Sequence, residues 1–353
     1  MSRAARSEQR PFINSTIKCI GSSGNSAPAF AQAVLADVQD SDFEGMTPQD
    51  AGALMRSALE FASKRAPGTH KLRVYNPEAS TGALRDITIV EILNEDMPFL
   101  VDSVMGEIQE RRLNVQLVLH PVLRVIRDDE NRLKTIAGPK GSAPKDAIRE
   151  SYIQVHISRL HTKAQCGELV AALDRILGHV RIVVADWKPM TQRAQDAISD
   201  YTSAPPSVPV ADLAESVQFL TWLLDENFTF LGMRTMSFVG GRKHGKLGPV
   251  AGSGLGILRD PDVYVLKRGG ESLHTTPEIR EFFLGPDPLI ITKANVRSTV
   301  HRRIYMDYIG VKIYGDDDQI TGELRIVGLF TSTAYTRSTK SIPFLRQKVE
   351  MVL

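Results

Sequence analysis

Two stretches of this 353-residue sequence bring together groups able to do chemistry. The first is "NEDMPFLVD", where Asn94, Asp96, Met97, Pro98, Phe99 and Asp102 place a carboxamide and two carboxylates around a proline. A strand that turns into a helix at such a point leaves amides free at the helix start. Those amides and Asn94 can take a carboxylate, and Asp96 or Asp102 an ammonium. The second is "KANVRSTVHRR", which gathers Lys293, Arg297, His301, Arg302 and Arg303. Alternation along one strand would put Arg297 and His301 on a common face, a basic stripe able to meet a carboxylate or phosphate. The same stripe reads equally well as an exposed sheet face balanced by the acidic turn "GDDDQ".

The other candidates are weaker. "GSGLG", Gly252 to Gly256, lacks the strand before it and the helix after it that a dinucleotide loop requires, so it reads as a flexible hairpin or interface loop. His156 and His161 are close in sequence without a third metal ligand, and read as a solvent-facing strand histidine and a turn histidine. Cys166 reads as core, and no metal site is assigned. Nucleophile-elbow, Walker and HExxH signatures are all missing, so no residue is assigned as catalytic.

The elements that must position the first stretch are legible around it. "DITIVEIL" is apolar and β-branched, of strand length, and after it Met97, Val101, Val104, Met105 and Ile108 recur at helical spacing. Asp96 is placed to cap this helix, with Pro98 in its first turn. Upstream, "HKLRVYN" and "RDITIVEIL" form a hairpin; downstream, "NVQLVLHPVLRVIRD" is strand material bent at Pro121. In "SYIQVHI", Ile153, Val155 and Ile157 alternate with Tyr152, Gln154 and His156, which predicts one buried and one wet face. Leu169, Val170, Leu173, Ile176 and Leu177 mark a second helix. The order β-β-α-β-β-α predicts a ferredoxin-like α+β sandwich.

Residues 1–27 have the composition of a mobile arm, and 28–66 form a helical lead-in opened in part by "TPQD". The sandwich with a helical extension occupies 67–200, and "TSAPPSVPV" marks the boundary. From 201 to 340 a helix is followed by candidate strands at 228–238, 263–267, 289–293, 298–314 and 324–331, with a short helix near 277–283. This is a second α+β domain with a mainly antiparallel sheet, whose element order suits a PAS-like sensor. Residues 341–353 begin an apolar helix without a stop signal, as expected of a longer protein cut short.

Forty-three basic against 41 acidic residues leave a net charge of +2, which invites neither nucleic acid nor an anionic membrane. No apolar run approaches the ~20 residues of a membrane span. Two dissimilarly placed cysteines suit a reducing compartment, so the expected location is cytoplasmic.

"EILNEDMPFLVDSVMGEIQERRLNVQLVLHPVLRVIRD", "ITKANVRSTVHRRIYMDYIGVK" and "GLFTSTAYTRSTKSIPFLRQKVE" together resemble the N-terminal part of the large bacterial NAD-specific glutamate dehydrogenases. The resemblance runs from about residue 30 to the end. It implies ACT-type regulatory modules preceding a catalytic domain, with the glutamate and NAD sites elsewhere in the polypeptide. A region of this kind has no dehydrogenase activity and no cofactor of its own. Its partners are the rest of the polypeptide, the other subunits of a homo-oligomer and an amino-acid effector. ACT modules are ferredoxin-like and commonly bind amino acids at the first strand-to-helix loop, often with an Asp-x-Pro-Gly pattern. Here Asp96, Met97 and Pro98 match, and Phe99 stands in place of the glycine. The alternative function is a free-standing amino-acid or small-molecule sensor.

Overall fold

The computed structural model describes residues 10–20, 26–78, 82–136, 144, 146–239, 246–263, 265, 267–268, 271–272 and 283–346. The chain divides into two compact units, Met1–Leu177 and Gly178–Leu353, rather than at "TSAPPSVPV". The expected short helix at 277–282, much of the strand expected at 263–267 and the last seven residues lie outside the described residues.

Three helices open the first unit: α1 (Pro11–Ile20), α2 (Ser26–Val34) and α3 (Pro48–Ala62). Helix α1 corrects the reading of 1–27 as a mobile arm over its described part. Ile13, Thr16 and Ile20 recur at three- and four-residue spacing, and that face is buried. Helix α3 starts as its sequence predicts. The Thr47 hydroxyl accepts from the Asp50 amide at 3.2 Å, and the Asp50 carboxylate accepts from the Thr47 amide at 3.3 Å, with Pro48 at the first helical position.

The sheet of this unit contains β1 (Lys71–Tyr75), β2 (Ile87–Glu95), β3 (Val115–Leu119), β4 (Val122–Arg127), β5 (Leu133–Ile136) and β6 (Ile148–Ser158). Helix α4 (Leu100–Glu110) follows β2, and α5 (Lys163–Ala185) follows β6. The strands run β1-β2-β6-β4-β5, antiparallel throughout, with β3 also on β6. Pro121 sits where the bend was expected. It separates β3 from β4, both paired to β6, and its carbonyl accepts from the Tyr152 amide at 3.1 Å.

The expectation of a wet face on β6 is overturned. Tyr152, Gln154 and His156 are as buried as Ile153, Val155 and Ile157. The lead-in helices cover that side: Phe30 of α2 meets Tyr152 edge-on at 5.6 Å, and Ile13, Phe30, Leu54 and Phe61 share one core with Ile89, Leu93 and Tyr152. His156 is therefore not solvent-facing. Two buried carboxylates of this sheet are paired. The buried Glu91 carboxylate accepts from the Tyr152 hydroxyl at 2.6 Å and from Arg73. Glu150, also buried, accepts from Arg65 Nε at 2.9 Å and from Arg127 Nε and Nη2 at 2.7 Å each.

The second unit contains α6 (Trp187–Ser203), α7 (Val210–Trp222) and a sheet of β7 (Phe228–Val239), β8 (Lys246–Pro249), β9 (Leu255–Gly256), β10 (Leu289–Arg297), β11 (Tyr305–Tyr314) and β12 (Ile320–Phe330). The order is β10-β11-β12-β7-β8, antiparallel, with β9 on β7. Phe228 packs edge-on against Phe230 at 5.2 Å and Phe330 at 5.4 Å. "GDDDQ" forms the hairpin between β11 and β12, closed by the Gly315 amide on the Gln319 carbonyl. The strand expected over 298–314 begins only at Tyr305. No helix among the described residues is long and apolar enough to cross a membrane.

Candidate functional site

The turn from Asn94 to Asp102 joins the end of β2 to the start of α4. Its geometry departs from the expected cap in one respect that changes its chemistry. Phe99 is the residue preceding the helix, and it lies in the left-handed region at φ 72°, ψ −3°. A side-chain-bearing residue costs about 1–2 kcal/mol there, a conformation that glycine adopts freely. Phe99 thus carries a half-buried ring on a backbone conformation that favours glycine. Its carbonyl accepts from both the amide and the hydroxyl of Ser103, at 3.0 and 2.6 Å. Pro98 precedes the helix rather than occupying its first turn, and Asp96 does not cap it.

Asp96 is instead drawn to β6. Its amide donates to the Arg149 carbonyl at 3.1 Å, and its carboxylate accepts from Arg149 Nε at 2.9 Å. Beside it, Asn94 is buried opposite Ser151, and His120 Nε2 lies 2.7 Å from the Ser151 hydroxyl. Burial lowers the His120 pKa below the usual imidazole value, with the Asp96 charge acting against the shift. Ser151 is fully buried, so this serine and histidine are not presented to a substrate as a nucleophile and base. Met97 and Phe99 are half-buried, Pro98 is exposed, and Asp102 stands in the first turn of α4, where the helix dipole favours a carboxylate. The sequence did not indicate Arg149, Ser151 or His120. They lie 25 or more residues from Asn94 and arrive through the pairing of β2 with β6 and the bend at Pro121.

The basic stripe is not one strand face. Lys293 pairs with Asp307, directly across the β10–β11 ladder, at 2.7 Å. Arg297 lies 5.3 Å over the Tyr305 ring. His301 falls in the loop between the strands, with φ 64°, and Arg303 donates to the Ser298 carbonyl at 3.2 Å. These contacts serve the strand connection. "GSGLG" is likewise structural: the Gly256 amide donates to Asp186 at 2.7 Å, and that carboxylate also holds Arg259. Hydrogen bonds from Arg259 and Gly256 lower the Asp186 pKa against the opposing effect of burial. His161 is exposed, with its amide donating to Gln165, and Cys166 is half-buried rather than core. Among the described residues no three His, Cys, Asp or Glu side chains gather as a metal would require.

Residues 30–173 match the family model described as glutamate dehydrogenase, ACT1 domain. Over 331 residues the chain is 34% identical to the NAD-specific glutamate dehydrogenase of Halomonas elongata, a match covering 92% of this chain and 20% of that protein. Over 287 residues it is 35% identical to the NAD-specific glutamate dehydrogenase of Pseudomonas aeruginosa, covering 80% of this chain and 17% of that one. The chain spans about a fifth of the length of the curated relatives it matches. It corresponds to their N-terminal region.

Proposed function

We propose that this chain, whose residues 30–173 match the glutamate dehydrogenase ACT1 model, is the regulatory and assembly region of an NAD-dependent glutamate dehydrogenase. The complete enzyme would convert L-glutamate, NAD and water to 2-oxoglutarate, ammonia and NADH, with NAD bound outside this region. The chain by itself is non-catalytic. The observation that carries this reading is the Asn94–Asp102 turn, which has a left-handed backbone at Phe99 and joins β2 to α4 within the residues that match the ACT1 model. The first unit departs from the expected β-β-α-β-β-α order by having four strands, β3 to β6, between α4 and α5; its single antiparallel sheet with helices after β2 and β6 supports an ACT-type α+β sandwich. Five main antiparallel strands in the second unit, with an interruption between β8 and β10, support a PAS-like sensor.

Within that role the turn acts as an assembly surface. Asp96 is already held by Arg149, and Phe99 places a partly exposed aromatic ring at the turn. Phe99 then buries its ring against another subunit or the remaining polypeptide. Effector binding at the turn is the second reading, favoured by the burial of Asn94 beneath it.

The test is kinetic. The 353-residue chain should give no glutamate-dependent reduction of NAD. Phe99→Gly in the complete enzyme should change subunit assembly or effector response more than the turnover of the assembled form. Turnover that co-purifies with the isolated chain would overturn the assignment.

A further inference from the structure

Helix α6 and strands β7, β11 and β12 of the second unit line a half-open cavity of about 420 Å³, within the range of small-molecule sites. Its floor is a row of side chains in register across three strands, Val311 beside Leu324 beside Thr235. Its roof is one face of α6, where Arg193, Ala197, Asp200 and Tyr201 follow at helical spacing. Small residues line it where larger ones would close it, Ala197 and Ala204 above and Thr235 below. The Tyr201 ring is a fixed wall, because its hydroxyl lies 2.9 Å from the Lys312 carbonyl and 3.0 Å from that of Pro288.

Two basic residues, Arg193 and Lys312, and two acidic ones, Asp196 and Asp200, line this space. Asp196 and Asp200 sit one turn apart on the same helix face, a spacing at which like charges repel. Arg193 does not bridge them. Its Nη1 donates to the Ser253 carbonyl at 2.5 Å, while Asp196 accepts from Gln192 Nε2 at 2.9 Å and both aspartates keep an exposed side. A guanidinium, two carboxylates and an apolar floor bordering one cavity match a zwitterion carrying an apolar side chain.

We propose that this cavity binds a free α-amino acid with an apolar side chain. Its ammonium lies between Asp196 and Asp200, its carboxylate against Arg193, and its side chain on Val311 and Leu324. The inference does not depend on the role assigned to the Asn94–Asp102 turn.

Isothermal titration of the 353-residue chain with leucine and phenylalanine tests it, alongside isopentylamine, which lacks the carboxylate, and 4-methylpentanoate, which lacks the ammonium. One of the two amino acids should bind with sub-millimolar affinity, and both analogues about tenfold or more weaker. Asp200→Asn and Arg193→Gln should each weaken binding by at least about tenfold, and Ala197→Leu should block it by filling the roof, with circular dichroism and melting unchanged. The proposal is overturned by no heat at concentrations up to about 10 mM, or by binding indifferent to these three substitutions. Binding lost in Asn94→Ala but kept in Asp200→Asn would also overturn it, placing the ligand at the turn and leaving the regulatory reading intact.

Discussion

Asp96 and Arg149 hold each other twice, backbone to backbone at 3.1 Å and through a salt bridge whose nearest atoms are 2.7 Å apart. The double link fixes the direction in which the chain leaves β2. It leaves Phe99 to complete the reversal into α4 in a conformation that few phenylalanines adopt. Because the Arg149 side chain is largely exposed, the pair contributes less than about 1 kcal/mol to stability. Its effect is on geometry.

Phe99→Gly separates backbone strain from ring burial. Relief of the left-handed conformation offsets the added flexibility of glycine, so the unfolding free energy of the isolated unit should change by less than about 1 kcal/mol. Assembly that uses the ring should weaken by about 3–5 kcal/mol, as for other large-to-small aromatic substitutions. Chemical denaturation and sedimentation equilibrium on the same samples check both expectations; unchanged association would remove Phe99 from the assembly surface.

Glu150→Gln should be among the most damaging single changes in the first unit. Two buried guanidiniums, Arg65 and Arg127, converge on this carboxylate. Loss of its charge removes the carboxylate that Arg127 holds and leaves Arg65 with the partly exposed Glu95, 3.6 Å away, at a cost of about 3–5 kcal/mol. Urea titration should show the midpoint fall with little change in slope.

His156 makes the first unit sensitive to acid. Burial lowers its pKa from 6.5 to about 4 in the folded protein. Between these values the unfolded chain binds the extra proton, so stability rises with pH through the window and falls on acidification, by on the order of 3 kcal/mol in all. His156→Leu lies opposite Ile89 and Leu117 and should remove this component. Unfolding measured at several pH values between 4 and 7 should give a flatter profile for the variant. Parallel profiles would show that His156 does not contribute.

Gly256→Ala tests the loop in the second unit. Gly256 has φ 57°, and an added Cβ would lie 2.2 Å from the Leu231 carbonyl oxygen, a backbone atom with little freedom to move. The loop must shift and loosen the Gly256 and Arg259 contacts to Asp186, with an expected loss of about 3 kcal/mol or more. A variant melting within a degree of the parent would contradict this.

The parts of the fold legible in sequence are those whose signal is local. The Thr47–Asp50 cap, the β1–β2 pairing, the break at Pro121 and the hairpin at 315–319 each follow from a few neighbouring residues. The face of β6 that carries Tyr152, Gln154 and His156 was misread because polar types normally mark solvent. Their burial depends on helices far upstream in the chain, such as α2, whose Phe30 meets Tyr152. Helix α1 could have been found from the spacing of Ile13, Ile17 and Ile20, had the serines and glycine that follow not coloured the whole segment. The candidate turn was located by its residue types. The conformation of Phe99 and the capture of Asp96 by Arg149 required the pairing register of two strands.

Helix α1 precedes the span that matches the ACT1 family, yet Ile13 and Ile20 share a core with Ile89, Leu93 and Tyr152. Boundaries drawn by similarity and by folding therefore differ. A piece excised at residue 30 for expression would lose this helix and leave apolar core surface facing water, inviting aggregation. A soluble minimal domain should begin before Pro11, and failure of a shorter piece would reflect where it was cut.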